Sequence, residues 1–335
     1  LKAWFEDIEP GCQILDWLEL GSAGQRALNE RFLSYNLPKS HADGGRHYPV
    51  VLTGETIDRS LYDFVNSYTG EEGSDGVVRT AAANLDARWL TLEQTDDPVK
   101  VRSLPGATTL QLRRNGVRRP PLTPFRIIPE ASHSGSKIGI IKSVKPDNAA
   151  EKEVVAEVLD ALQIADGDDY NAYIDACGEA TKRQQQPPGE RYFQVVFRVM
   201  DDEDQPISDF DLVILAGPDY DPNALPKGFF RDRQRNCKAP NTIVYYMNHD
   251  KLSLVVDGLF GFRILARPDN GFAWYAPAEF RSNTVTIDEV IDPNVTTYVD
   301  IVLTRHVDRE TARFDPESVG YKKFNRARPA GEKAL

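Results

Sequence analysis

The hydrophobic rhythm of the chain changes near its middle. Before residue 184, short apolar runs closed by glycine alternate with stretches of helical spacing; after residue 190, one strand-like run follows another. Ile14, Leu15, Trp17, Leu18 and Leu20 fall on one side of a helix predicted over residues 4–33 and broken once at Pro10-Gly11. Residues 48–53, ended by Gly54, read as a short buried strand of a parallel sheet. Ile57, Leu61, Phe64, Val65 and Tyr68 return to helical spacing. Residues 88–92 and 125–128 are further strands, and the Arg- and Pro-rich stretch 96–124 between them reads as an insertion or hairpin. Val154, Val155, Val158, Leu159 and Leu162 line one side of a helix over 149–162. Strands alternating with helices predict an α/β layer fold.

Gln184-Gln-Gln-Pro-Pro-Gly189 has the chemistry of a linker, stiffened by proline and carrying glutamines with no core to enter. Strands are then expected at 192–199, 210–215, 242–247, 252–256, 260–265, 284–287 and 297–303, separated by turn residues. That spacing predicts an antiparallel β-sandwich. The expected organisation is an α/β unit over 1–183, a linker at 184–190, a β-sandwich over 191–316 and a tail at 317–335.

Composition narrows the function classes. With 335 residues, 41% of them hydrophobic and 27% charged, the chain has the make-up of a soluble globular protein large enough for two cores. No run approaches the ~20 apolar residues that span a bilayer. No basic segment followed by an apolar one marks a signal peptide, and the compartment stays open between cytoplasmic and exported. A net charge of −11 argues against nucleic acid and against adhesion to anionic membranes. Cys12, Cys177 and Cys237 are odd in number and widely spaced, which fits structural thiols rather than a zinc site or disulfide framework. No metal or cofactor is expected. Oxygens of the acidic run Asp201–Asp204 could ligate calcium, but without a ligand periodicity and glycine bend a hairpin turn is the simpler reading.

Two turns carry candidate chemistry. Gly73-Ser-Asp-Gly-Val-Val78 and Pro129-Glu-Ala-Ser-His-Ser-Gly135 each set one proton-handling side chain among small residues just after a predicted strand. A carboxylate held by such a turn can accept from an imidazole Nδ1–H and fix its tautomer. Asp75 precedes His133 by 58 residues, the order in which an α/β-hydrolase chain presents its triad acid and base. Each alone has a plainer explanation: Asp-Gly is a common turn dipeptide, and a histidine among serines can be a solvated loop residue. His41 and His47 precede Asp75 and lack the order, while His249 and His306 lie among the β-strands.

With these residues in place, residues 1–183 resemble the C-terminal half of a bacterial α/β-hydrolase of the lipase/esterase group, phospholipases included. The matching pieces are Asp7-Ile-Glu-Pro-Gly-Cys12, residues 48–54, residues 73–78 and Ile128-Pro-Glu-Ala-Ser-His133. The resemblance implies a partial α/β-hydrolase fold and a Ser-Asp-His triad with Asp75 as acid and His133 as base. No Gly-x-Ser-x-Gly precedes Asp75, and the chain opens on Leu1. The serine and the oxyanion-hole loop would then lie upstream, and this chain alone would be inactive. A lipid or other ester would be the substrate, with the apolar segment around Trp4, Phe5, Trp17 and Leu18 as acyl pocket, lid or plain core.

A second reading makes the protein a non-catalytic binder. Its β-rich half would present Phe229, Phe230, Trp274 and Tyr275 to a lipid, a glycan or a protein partner. The charged run Phe230-Arg-Asp-Arg-Gln-Arg235 would be either a partner contact or a solvated strand edge.

Overall fold

The computed structural model describes residues 11–35, 47–58, 71–101, 108–186, 190–268, 273–282 and 290–307. Most of the helix expected from Ile57, the strand at 284–287, His41, Trp4, Phe5 and the tail lie outside these residues. Two sheets organise the described part. A parallel pair joins β1 (Val51–Gly54) to β4 (Phe125–Ile128), with Gly54 opposite Ile128. The second sheet has nine strands, in the order β6-β9-β11-β3-β2-β12-β5-β8-β7. In chain order these are β2 (Arg88–Val99), β3 (Thr109–Arg118), β5 (Tyr192–Asp201), β6 (Asp209–Ala216), β7 (Phe230–Arg235), β8 (Thr242–Asn248), β9 (Phe260–Arg267), β11 (Ala278–Arg281) and β12 (Thr296–Leu303). A short ribbon, β10 (Ala273–Trp274) with β13 (His306–Val307), completes the strands.

The large sheet is mixed rather than antiparallel: β12 runs parallel to both β2 and β5, and β11 parallel to β3. Strands β2 and β3, which the sequence places in the first unit, therefore stand inside the sheet built from residues beyond 190. The central strands explain themselves. β5 and β8 are buried almost throughout and read as continuous apolar runs, as strands covered on both faces do. At the sheet's edge, β6 alternates, turning Asp209 and Asp211 outward to Arg267. The sheet curls until its two ends meet. Arg235 on β7 donates to the Phe210 carbonyl of β6 at 2.9 Å, and the Phe197 and Phe262 rings lie 4.9 Å apart. The main core fills this curl, with Leu92, Phe193, Phe197, Phe210, Ile264 and Ile301 among its residues. The stretch read as a strand at 252–256 is instead two 3₁₀ turns, Asp250–Leu254 and Val256–Gly258.

Helices cover the sheets. α1 (Gly11–Leu18) and α2 (Ala23–Phe32) form the expected helical start, separated around Gly21, whose φ is +75°. Ser22 caps α2 by accepting from Gln25 N. Arg26 of α2 pins the hairpin to the large sheet, lying 4.5 Å over Trp89 and pairing with Asp300. Trp17 and Leu18 are about half exposed, so the core role open to them is not what the structure gives. After the short α3 (Thr80–Ala83) come α4 (Glu153–Leu162) and α5 (Gly167–Gln184).

Asp166 caps α5 by accepting from Asp168 N and Asp169 N, and Lys182 and Arg183 sit at its last turn, where cations suit the helix dipole. Thr181 of α5 accepts from Ile127 N at 3.2 Å and so closes the outer edge of β4. Beneath it, Arg126 is buried and bonded to Glu153, Glu157 and Gln184, which locks α4 and α5 onto β4. Two of the three glutamines expected to have no core to enter are in fact bonded inside: Gln184 donates to Glu55, and Gln185 accepts from Asn294 at 2.6 Å, while Gln186 is exposed.

Candidate functional site

The His133 turn issues from the small parallel sheet. Beyond β4 the chain turns at Glu130, whose φ is +53°, and Ala131 O accepts from Thr56 N at 3.0 Å. Gly54 makes that approach feasible, because a Cβ there would lie 2.1 Å from Ala131 O. Ser132 then pairs with the 138–140 segment through two backbone bonds, and His133 follows at the rim.

Asp75 sits at the tip of a small hairpin closed by a bridge between Ser74 and Arg79. Its Oδ1 accepts from Val77 N at 3.0 Å and from Val78 N at 2.8 Å, an Asx turn that fixes the carboxylate against its own backbone. Its Oδ2 faces His133 Nδ1 at 3.0 Å, and His133 N donates to Asp75 O at 2.8 Å. Two turns 58 residues apart are thus joined through main chain and side chain together. The Asp75 side chain is 7% exposed and that of His133 is 48% exposed. A carboxylate only accepts, so the proton of this hydrogen bond belongs to Nδ1. Nε2 has no hydrogen-bond partner among the described residues. Such an imidazole can take a proton from a hydroxyl and return it to a leaving group.

The base of the Asp75 hairpin carries residues that sequence reasoning missed. Arg79 is buried and reaches Glu71 at 2.7 Å, Gln194 on β5 at 3.0 Å, and Asp232 on β7. Its guanidinium lies 4.4 Å over the ring of Tyr246 on β8. Burial pushes the Glu71 carboxyl above its ordinary value against the pull of Arg79. Only the presence of a basic residue four places after Asp75 hinted at this cluster; apart from Glu71, its partners lie more than a hundred residues away.

The other candidates fall elsewhere. Asp201 is buried at a hairpin turn, accepting from Glu203 N and Gln205 N, and no group of metal-ligating side chains is found among the described residues. Phe229 lies in the main core, whereas Phe230 and Trp274 are exposed, the latter stacked 4.2 Å from His306. Tyr275 donates to Asp201, so these four aromatics form no single patch. The charged run of β7 is an exposed strand edge, paired through Arg231 to Glu72, Asp232 to Arg79 and Arg235 to the β6 backbone. Cys177 is buried, and burial raises its thiol to about 11; Cys237 is exposed, and neither is in a disulfide.

Two solved structures of phospholipase PlaB from Legionella pneumophila share this architecture. The one in complex with thio-NAD superposes with a TM-score of 0.81 at 36% sequence identity, covering 98% of this chain and 72% of that one. The other gives 0.80 at 36% identity, covering 100% and 71%. The chain belongs to the PlaB family. No protein-family model and no curated protein sequence matches it. Membership extends over both sheets at once, so the curled sheet is part of the PlaB-like architecture as much as the parallel pair is. Among the described residues, no helix is long and apolar enough to cross a membrane.

Proposed function

We propose that the protein is a carboxylic ester hydrolase of the lipase/phospholipase type, acting on phospholipid. Asp75 and His133 supply the acid and base of its triad. The observation that carries this reading is the 3.0 Å contact between Asp75 Oδ2 and Nδ1 of the half-exposed His133. The kinship with a phospholipase supplies the substrate class. The nucleophile in this reading is a serine from a segment preceding Leu1, in keeping with the order Ser, Asp, His. Its hydroxyl oxygen attacks the acyl carbonyl carbon while Nε2 of His133 takes the hydroxyl proton. Collapse of the tetrahedral intermediate breaks the ester C–O bond, and the same proton passes to the departing alcohol. Water then repeats the sequence on the acyl-enzyme. Asp75 keeps the ring in the required tautomer and compensates the charge it acquires.

The test is turnover of phosphatidylcholine vesicles and of p-nitrophenyl octanoate by the intact protein and two variants. His133→Ala should lower kcat by about 10⁴- to 10⁶-fold, and Asp75→Asn by about 10⁴-fold, with the fold retained. Turnover by either variant equal to the parent would remove that residue from the mechanism.

A further inference from the structure

We infer that the nine-stranded sheet positions the triad carboxylate, with Tyr246 and Arg79 gripping the base of the hairpin whose tip is Asp75. The inference rests on the catalytic reading of Asp75 given above.

The grip comes from three strands of the large sheet. From β8, the Tyr246 hydroxyl lies 3.0 Å from both the Glu72 and the Gly73 carbonyl oxygens, toward which it donates. From β5, Gln194 accepts from Arg79, and the Tyr192 hydroxyl donates to Glu72 at 2.8 Å. From β7, Asp232 pairs with Arg79. Gly73 has a φ of +72°, and a Cβ there would lie 2.4 Å from the Tyr192 ring and the Tyr246 hydroxyl. The backbone at the start of the hairpin is therefore pressed directly onto two side chains of the sheet. Tyr192 and Tyr246 stack 5.3 Å apart, and Tyr246 is fully buried. Burial also pushes its phenol far above the ordinary value, so it stays a donor across the working pH range.

The consequence concerns distance. Asp75 is two residues beyond Gly73 and four before Arg79, and both flanks of the tip are fixed by this network. Thr80 adds two bonds to Gly73 O, from its N at 2.9 Å and its Oγ1 at 3.1 Å. His133 is held by a different sheet, through β4. Apart from the His133 N–Asp75 O bond that joins them, the two turns are anchored on different sheets, and the separation of carboxylate and imidazole depends also on how the hairpin is seated on the large sheet. A displacement near 1 Å at a catalytic group can cost about 10²-fold in rate. Tyr246 and Arg79 are accordingly positioning residues that act through Asp75.

Two adjacent tyrosines on β8 provide the experiment. Tyr246→Phe keeps the ring beneath Arg79 and removes only the hydroxyl. Tyr245→Phe removes a hydroxyl on the opposite face, where it donates to Leu212 O at 2.8 Å. In the intact protein, Tyr246→Phe should lower kcat for p-nitrophenyl octanoate about tenfold with KM unchanged. Tyr245→Phe should leave kcat within about twofold. The downfield proton NMR signal of the His133 Nδ1–H should broaden or vanish in Tyr246→Phe and persist in Tyr245→Phe. Asp232→Asn, on the half-exposed edge strand, repeats the test should Tyr246→Phe not fold, with an expected loss of about threefold in kcat. Parental kcat and an intact His133 signal in Tyr246→Phe, or in Asp232→Asn in its place, overturn the inference while Asp75→Asn remains inactive. An active Asp75→Asn overturns the catalytic reading itself.

Discussion

The parallel pair β1–β4 and the curled nine-stranded sheet divide the labour of the molecule unequally. The pair has a small core, Ile128, Ala131 and Val154 with a few partly buried neighbours. It keeps its turns in place by close backbone approach and by the buried Arg126 cluster. The curled sheet holds the continuous apolar core and most of the fully buried aromatic rings. The proposed chemistry draws on both: His133 follows β4, and Asp75 lies in a turn that the larger sheet anchors. The large core and the proposed site are thus joined through one hairpin. An exposed rim loop can present a side chain to substrate, while a large core supplies rigidity from behind.

Gly54→Ala strikes the small sheet where it has no slack. Its methyl group would lie 2.1 Å from Ala131 O, so the loop leading to His133 must shift. Turnover by the intact protein should fall about 10²-fold, while the near-ultraviolet circular dichroism of the aromatic-rich large sheet stays as in the parent. Undiminished kcat would show that the His133 loop is placed by something other than its approach to β1. Leu92→Ala makes the opposite cut. Leu92 is fully buried in the main core, and its truncation should destabilise the protein by about 2–5 kcal/mol in denaturant titrations. At temperatures where the variant stays folded, kcat should match the parent. A large kcat loss without unfolding would mean that reactivity is spread through the sheet instead of passing through the hairpin that Tyr246 and Arg79 hold.

The two regions also differ in how far the sequence discloses them. Asp75 and His133 could be singled out because the turns that present them are local: Gly73, Gly76, Ser132 and Gly135 lie within a few residues of the side chain concerned. The start of the chain, β1, β4 and α4 were legible from apolar spacing for the same reason. Strand pairing is a relation between distant residues, and there the reading lost its grip. Nothing in residues 88–118 states that β2 will lie parallel to β12, more than two hundred residues later. The expected boundary at 184–190 therefore separates strands that share one sheet. α5 went unread because its mean composition is polar and only Tyr170, Cys177 and Thr181 are buried. The grip of Tyr246 and Arg79 on the Asp75 hairpin was out of reach altogether, since each partner looks ordinary within its own segment.

The central claim is that His133, held by Asp75, activates a serine hydroxyl. A fluorophosphonate reacts with a serine only when a neighbouring base has raised its nucleophilicity, so its labelling rate reads that claim directly. In the intact protein the account requires one serine to be modified rapidly, as located by peptide mass spectrometry, and requires His133→Ala to abolish that modification. Equal labelling of the same serine in His133→Ala, or no labelled serine in the parent, would contradict it.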